Sequence, residues 1–197
     1  MAILPVSFYE NPDVVEVAKQ LLGKFLLTKI DGIVTGGMIL ETEAYRAPED
    51  RASHAYGLKR TKRNEAMYAK GGISYIYLIY GIHYLFNVVT NVAEMPHAVL
   101  IRSIDPQIGI EEMLKRRHKQ RKERNLTSGP GALCQALAIT KALNGSPLSG
   151  PPIWIEDRGI VLSNKMITAT PRIGIDYAGK DAKLPWRFLM TPSISHK

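Results

Sequence analysis

One globular domain that mixes helices with hairpin-linked strands is the class the sequence predicts, and three observations predict it. The chain has 197 residues, 45% of them hydrophobic, which suffices for a core of its own without staples. It carries no internal repeat, no low-complexity linker and no compositional break that would mark a second domain, so residues 1–197 read as one unit. Two turn dipeptides, Asp31-Gly32 and Tyr80-Gly81, each lie between runs rich in β-branched and aromatic residues, as hairpin-linked strands require.

Asn11-Pro12-Asp13 opens the first helix, with Asn11 as N-cap, Pro12 at the first helical position and Asp13 near the positive end of the dipole. Val14, Val17, Ala18, Leu21 and Leu22 then share one face, and Gly23 stops the helix. A strand over residues 24–30 turns through Asp31-Gly32 into another that runs toward Glu43. Side chains alternate along residues 37–45, so Glu41, Glu43 and Tyr45 share one face, with Met38, Leu40, Thr42 and Ala44 on the other. Residues 46–72 are polar and basic, and Thr61 is placed to cap a short helix through Met67 that ends at Gly71-Gly72. Strands flank Tyr80-Gly81, with Tyr75 and Tyr77 on one face. A further strand over residues 97–104 carries Arg102 amid Val99, Leu100 and Ile101. A helix after Asp105-Pro106 runs into residues 115–124, the densest basic stretch, with seven Lys or Arg against one Glu. Thr127-Ser-Gly-Pro-Gly131 opens a helix that carries Cys134 among Leu133, Ala136 and Leu137. Short strands are expected near 153–156, 159–162, 172–175 and 186–190.

A formal charge of +8 and a pI near 9.6 favour an anionic partner, nucleic acid ahead of an anionic membrane surface. The single cysteine excludes an internal disulfide and a multi-cysteine zinc site, and Cys134 reads as a buried thiol. No apolar run is long enough to cross a bilayer, and Pro5 and Glu10 fall where a signal peptide needs a continuous apolar core. A soluble, intracellular, non-secreted protein is therefore expected. Walker, dinucleotide-binding and zinc-deaminase patterns are absent, so no metal or cofactor has sequence support.

Candidate chemistry gathers between Gly36 and Asn87. Glu43 sits beside Tyr45 ahead of a loop that carries His54, while Tyr75 and Tyr77 lead to Tyr80 at a turn. A carboxylate, stacking rings and a hairpin tip suit an enzyme that holds a flat base and hydrolyses beside it. The same residues also fit a plainer account, in which the aromatics are core, the glutamate is a solvated strand edge, and the basic runs are surface. Arg102 needs a partner in its apolar strand, either Glu43 or a nucleic-acid phosphate.

The run Glu41-Thr-Glu43-Ala-Tyr45, Pro48-Glu-Asp with His54, Tyr75-Ile-Tyr77-Leu-Ile-Tyr80-Gly81, Asn87, Arg102 and Ser128-Gly-Pro with Leu133-Cys-Gln-Ala-Leu137 together resemble the 3-methyladenine (alkyladenine) DNA glycosylase family. The resemblance extends from about Phe8 to Phe188. It implies an α+β domain with a curved, mainly antiparallel sheet, surrounding helices and a protruding β-hairpin, distinct from the helix-hairpin-helix glycosylases. The activity it implies is hydrolysis of the N-glycosidic bond of an alkylated or otherwise damaged purine. That purine is flipped out of double-stranded DNA during base-excision repair, and an abasic site is left behind. A monomer without lyase activity, metal or cofactor is expected, at home in the cytoplasm or nucleoid of a bacterium or in a nucleus. By the same resemblance Glu43 is the general base and Arg102 helps place the catalytic water. Tyr45, His54 and Tyr77 sandwich the flipped base, Asn87 meets the purine edge, and Tyr80 enters the minor groove. Arg117 aligns with a phosphate contact, and Lys59, Thr61 and Arg63 are further backbone candidates. Three departures stand out against mammalian members: a longer Asn91–His97 loop, His83 in place of Tyr, and Tyr56 in place of Arg. A non-catalytic nucleic-acid-binding protein on the same scaffold is the rival reading, with Glu43 the one feature against it. A free-nucleoside hydrolase is another, for which the basic surface would be idle.

Overall fold

In the computed structural model, which describes residues 1–121 and 123–190, the hairpins join into one ten-stranded sheet. In chain order the elements are β1 (Ala2–Ile3), α1 (Val6–Tyr9), α2 (Val14–Gln20), β2 (Phe25–Ile30), β3 (Ile33–Tyr45), β4 (Ser74–Ile79), β5 (His83–Thr90), β6 (His97–Ile108), α3 (Ile110–Arg116), α4 (Pro130–Ala136), β7 (Ser149–Gly150), β8 (Ile153–Asp157), β9 (Ile167–Thr170) and β10 (Arg187–Met190). The main path runs β1-β8-β2-β3-β6-β5-β4, and every pairing in it is antiparallel. Short helices surround the sheet and the β4–β5 hairpin projects from it, which is the α+β architecture expected.

The sheet is built on β3. Its first half pairs with β2 across Asp31 and Gly32, both at positive φ as a tight hairpin demands. Its second half pairs with β10 along that same edge, while β6 lines the other edge. Register shifts between Gly36 and Gly37, and on either side of Glu41, bend the strand. Gly37 is obligatory, because a Cβ there would lie 2.0 Å from the Asp105 carbonyl oxygen.

One face of the central strands carries the core. Ala44, Ile76, Phe86, Val88, Val99 and Ile101 pack with Val14, Val17, Ala18 and Leu21 from the α2 region and with Leu133, Cys134 and Leu137 from the α4 region. Burying each large side chain contributes roughly 1.5–3 kcal/mol. Thr42 shares this face, and its hydroxyl donates to the Ala18 carbonyl at 2.8 Å, tying α2 to β3. The opposite face is left for the site.

Several local expectations are corrected. The α2 cap is Asp13, whose carboxylate accepts from the Val15 and Glu16 amides, while Asn11 accepts from Asp13 itself. The helix ends at Gln20, before Gly23. Thr61 caps nothing: the helical turn at Glu65–Tyr68 begins after Asn64, and Thr61 donates to the Asn64 side chain. Pro106 lies inside β6, opposite Gly37 at a register shift, and α3 starts only after Gly109. Residues 159–162 and 172–175 form no strand, and β9 at Ile167–Thr170 has no counterpart among the strands expected.

Candidate active site

A single row of cross-strand partners makes the floor of the site. Arg187, Glu43, Leu100, Asn87 and Tyr75 stand opposite one another across β10, β3, β6, β5 and β4. Directly paired residues face the same side of a sheet, and so do residues two apart along a strand. Tyr45, Arg102 and Tyr77 therefore join the row's face, away from the core. Above them opens a cavity of about 670 Å³, lined by Glu43, Tyr45, His54, Tyr77, Asn87 and Arg102 among others. Its upper walls come from residues 128–132 at the start of α4 and from Ile173, Gly174, Ile175 and Tyr177.

The two glutamates of β3 are held differently. Glu41 Oε1 accepts from Arg102 Nε at 2.8 Å and from Arg187 Nε at 2.6 Å, so it is committed to two guanidiniums. Glu43 is fully buried yet lines the cavity. Its Oε1 accepts the Ile173 amide at 2.8 Å and its Oε2 accepts the Tyr45 hydroxyl at 2.8 Å. Arg102 Nη1 stands 3.4 Å from that second oxygen. Of the two partners open to Arg102, carboxylate is the one present, and Glu41 is the nearer. Two carboxylates and two guanidiniums cancel, so Glu43 stays compensated although it is out of water. A carboxylate offers about four acceptor positions, and these neighbours take three of them.

The rings form an aromatic box. His54 and Tyr77 meet edge to face with centroids 4.6 Å apart, and Tyr77 lies 5.4 Å from Tyr75. The Tyr75 hydroxyl bonds His54 Nδ1 at 2.8 Å, which fixes the imidazole. Burial, with the Arg63 charge adding to it, pushes the His54 pKa down to about 4, so the ring is neutral at physiological pH. Burial also raises Tyr45, Tyr75 and Tyr77, reinforced at Tyr45 by the Glu43 charge, and all three remain protonated phenols. Asn87 is buried and donates from Nδ2 to the Tyr75 carbonyl at 3.1 Å.

The family model described as methylpurine-DNA glycosylase matches residues 7–193. A Chlamydia felis protein provisionally named a 3-methyladenine DNA glycosylase is 52% identical over 196 residues, covering 99% of this chain and 100% of its own. Relatives with the same name in Chlamydia pneumoniae and Bacillus cereus are 48% and 45% identical, each covering 98% or more of both chains. The chain belongs to the methylpurine-DNA glycosylase family.

On this member of the methylpurine-DNA glycosylase family, Tyr80 stands at the tip of the β4–β5 hairpin, 85% exposed, beside Ile82 at 71%. Tyr80 and Gly81 both have positive φ, and the Ile82 amide closes the turn on the Ile79 carbonyl at 3.2 Å. Lys59 and Arg63 are exposed, and the Arg63 guanidinium lies 5.2 Å from the Tyr77 ring centroid. Thr61 spends its amide and hydroxyl on Asn64 Oδ1, and Asn64 in turn donates to the His54 and Lys59 carbonyls. Arg117 lines the cavity and donates to Gln135 Oε1 at 2.5 Å. Its neighbour Arg116 faces elsewhere, donating to Glu112, to Thr35 and to the Ala136 carbonyl. The basic run thus splits, and Lys122 and the Arg124 side chain lie outside the described residues.

Four features of the site have no signature in the sequence. Tyr75 lies on the face that alternation predicts, but its bond to His54 has no signature in the pattern. The Ile173 amide carries no sequence signal, because any residue but proline supplies one. Tyr177 sits in a stretch without periodicity. Arg172 and Asp50, which brace this region, are 122 positions apart. Among the described residues no group of three or more His, Cys, Asp or Glu is arranged to hold a metal, and no helix is long and apolar enough to cross a membrane.

Proposed function

We propose that this chain is a base-excision-repair DNA glycosylase that accepts an alkylated purine, of the 3-methyladenine type, flipped from duplex DNA and hydrolyses its N-glycosidic bond. The observation that carries the reading is a buried, charge-compensated Glu43 facing an aromatic cavity beneath an exposed hairpin tip. A cavity of about 670 Å³ is of the size that holds a nucleoside-sized ligand.

In this reading Tyr45, His54 and Tyr77 hold the base between their rings and Asn87 meets its edge. Alkylation at a ring nitrogen makes the leaving base a cation, which the electron-rich phenols attract. Because the base carries its positive charge before cleavage, it takes the bonding electron pair and departs neutral without an acid to protonate it, so a single carboxylate is enough. Glu43 removes a proton from a water aligned on the anomeric carbon and stabilises the oxocarbenium charge that develops there. Arg102, 3.4 Å from Glu43, helps seat that water. Tyr80 fills the gap that the flipped nucleotide leaves, while Lys59, Arg63 and Arg117 meet phosphates. The enzyme acts as a monofunctional glycosylase on double-stranded DNA, without a covalent amine intermediate.

The deciding experiment is single-turnover release of 3-methyladenine from a methylated duplex, run alongside borohydride trapping. Base release without a trapped protein–DNA adduct is expected. Binding without any release would favour the non-catalytic alternative, and a trapped adduct would refute the monofunctional assignment.

A further inference from the structure

Arg172 and Asp50 are fully buried as side chains, outside the chemistry just described. Nη1 of Arg172 donates to Asp50 Oδ2 at 2.5 Å and to the Ala44 carbonyl at 2.7 Å. Nη2 donates to Asp50 Oδ1 at 2.8 Å and to the Asp181 carbonyl at 3.3 Å. The Arg172 Nε is buried with no partner, a cost to stability that the pair does not recover for itself. Buried ion pairs are frequently no better for stability than apolar residues of the same volume, so this one calls for another account.

Its neighbours supply that account. Ala44, which accepts from Arg172, lies between Glu43 and Tyr45. Ile173, which follows Arg172, donates its amide to Glu43 Oε1 at 2.8 Å. The bonds close a ring: β3 backbone at Ala44, Arg172 side chain, Arg172 backbone, Ile173 amide, Glu43 carboxylate and back to β3. Pro171, Ile173 and Gly174 are all exposed, and Arg172 and Ile175 are the buried residues of the segment that delivers this amide. Glu43 is thereby pulled two ways. The Ile173 amide holds one oxygen while Tyr45 and Arg102 hold the other, and without the amide the carboxylate is free to swing onto Arg102.

We propose that Arg172, locked by Asp50, is a positioning residue for Glu43, setting the carboxylate orientation through the Ile173 amide. The proposal rests on Glu43 being the base. Arg172 also lies 4.7 Å from the Tyr45 ring centroid, where a lysine would keep a charge but lose the planar fork that spans Ala44, Asp50 and Asp181.

The test compares Arg172→Lys, Ile173→Pro and Glu43→Gln on a 3-methyladenine duplex, measuring single-turnover rate, duplex affinity and melting temperature. Arg172→Lys should slow release on the order of 10- to 100-fold, the loss that follows an ångström-scale misplacement. Affinity for the lesion duplex should change by less than about twofold. Ile173→Pro deletes the amide proton, leaves the buried pair intact and should give the same split. It decides alone if Arg172→Lys does not fold. Wild-type rates in a folded variant would overturn the proposal, as would rate and affinity falling together with stability. An active Glu43→Gln would instead remove the base assignment beneath it, and the two failures are told apart by that one variant.

Discussion

Tyr80→Asn should separate stability from activity, because the turn that holds Tyr80 strains its backbone and scarcely covers its ring. At φ +53° a tyrosine occupies the left-handed region, which costs an L residue roughly 1–2 kcal/mol and which asparagine tolerates better. Against that gain stands the ring's lost packing. With 85% of the residue exposed, the covered remainder is roughly 30 Å², below about 1 kcal/mol at 25 cal/mol per Å². The two terms offset, and the melting temperature should stay within about 4 °C of wild type. Activity has no such compensation. Extruding a base costs a few kcal/mol of stacking, and losing about 2–3 kcal/mol of plug corresponds to roughly 30- to 150-fold slower excision from duplex. Single-stranded substrate, already unstacked, should suffer much less. The assay is single-turnover excision on matched duplex and single-stranded oligonucleotides, with thermal melts alongside. Equal loss on both substrates, or a melting temperature lowered by well over 5 °C, would place Tyr80 in the pocket or the core and refute the reasoning.

The other expectations concern charge. Glu43→Gln should abolish base release while lesion-duplex binding persists; Glu41→Gln should keep measurable release but melt earlier, because it breaks a part-buried bridge to Arg102 and Arg187. If Glu41→Gln is the inactive variant and Glu43→Gln is not, the base has been misassigned. His54 has its pKa pushed down to about 4 from 6.5, so between those values the unfolded chain binds a proton the folded chain refuses. Stability should therefore fall as pH drops through that window, by at most about 3 kcal/mol, and be indifferent to His54 above it. Urea melts of His54→Gln should show a shallower acid slope, with the share from buried His97 remaining, since its pKa is also lowered; an unchanged slope refutes the assignment. Replacing Lys59 and Arg63 with Ala should flatten the salt dependence of duplex binding by roughly one unit for each phosphate no longer neutralised. Arg116→Ala, by contrast, should lower stability and leave that salt slope alone, given its bonds to Glu112, Thr35 and Ala136.

What the sequence revealed of the fold followed from local rules. Asp31-Gly32 and Tyr80-Gly81 sit where positive φ is needed, and the strands around them appear within a residue or two of expectation. The apolar stripe of α2 lands in the core as its spacing requires. Misreadings arise where two local signals compete. Asn11 and Asp13 are both good caps, and only the structure shows Asp13 accepting from two helical amides. A helix is expected straight after Asp105-Pro106, yet β6 carries Pro106 through a register shift opposite Gly37, where the missing Cβ admits the Asp105 carbonyl. The tail from Asn144 onward lacks a clear period, so β9 leaves no trace in the pattern and two strands are expected that do not form.

The site was legible to the degree that one strand carries it. Glu43 and Tyr45 declare themselves because period two puts them on one face, and Tyr75 and Tyr77 do the same on β4. What alternation cannot say is which strands lie beside which. The order β10-β3-β6-β5-β4 brings Arg187, Glu43, Leu100, Asn87 and Tyr75 into one row, and nothing in residues 37–45 foretells it. That order also decides between two carboxylates that look equivalent in sequence. β10 brings Arg187 onto Glu41, which with Arg102 occupies that carboxylate. Glu43 receives a backbone amide and a phenol, with the Arg102 guanidinium 3.4 Å from the oxygen that takes the phenol. Glu43 thus faces the cavity, while Glu41 is tied to two guanidiniums. The different holding of the two glutamates, two residues apart on one strand face, is thus made by β10 and the Arg172 segment, which lie 146 and 130 positions away along the chain at Arg187 and Ile173.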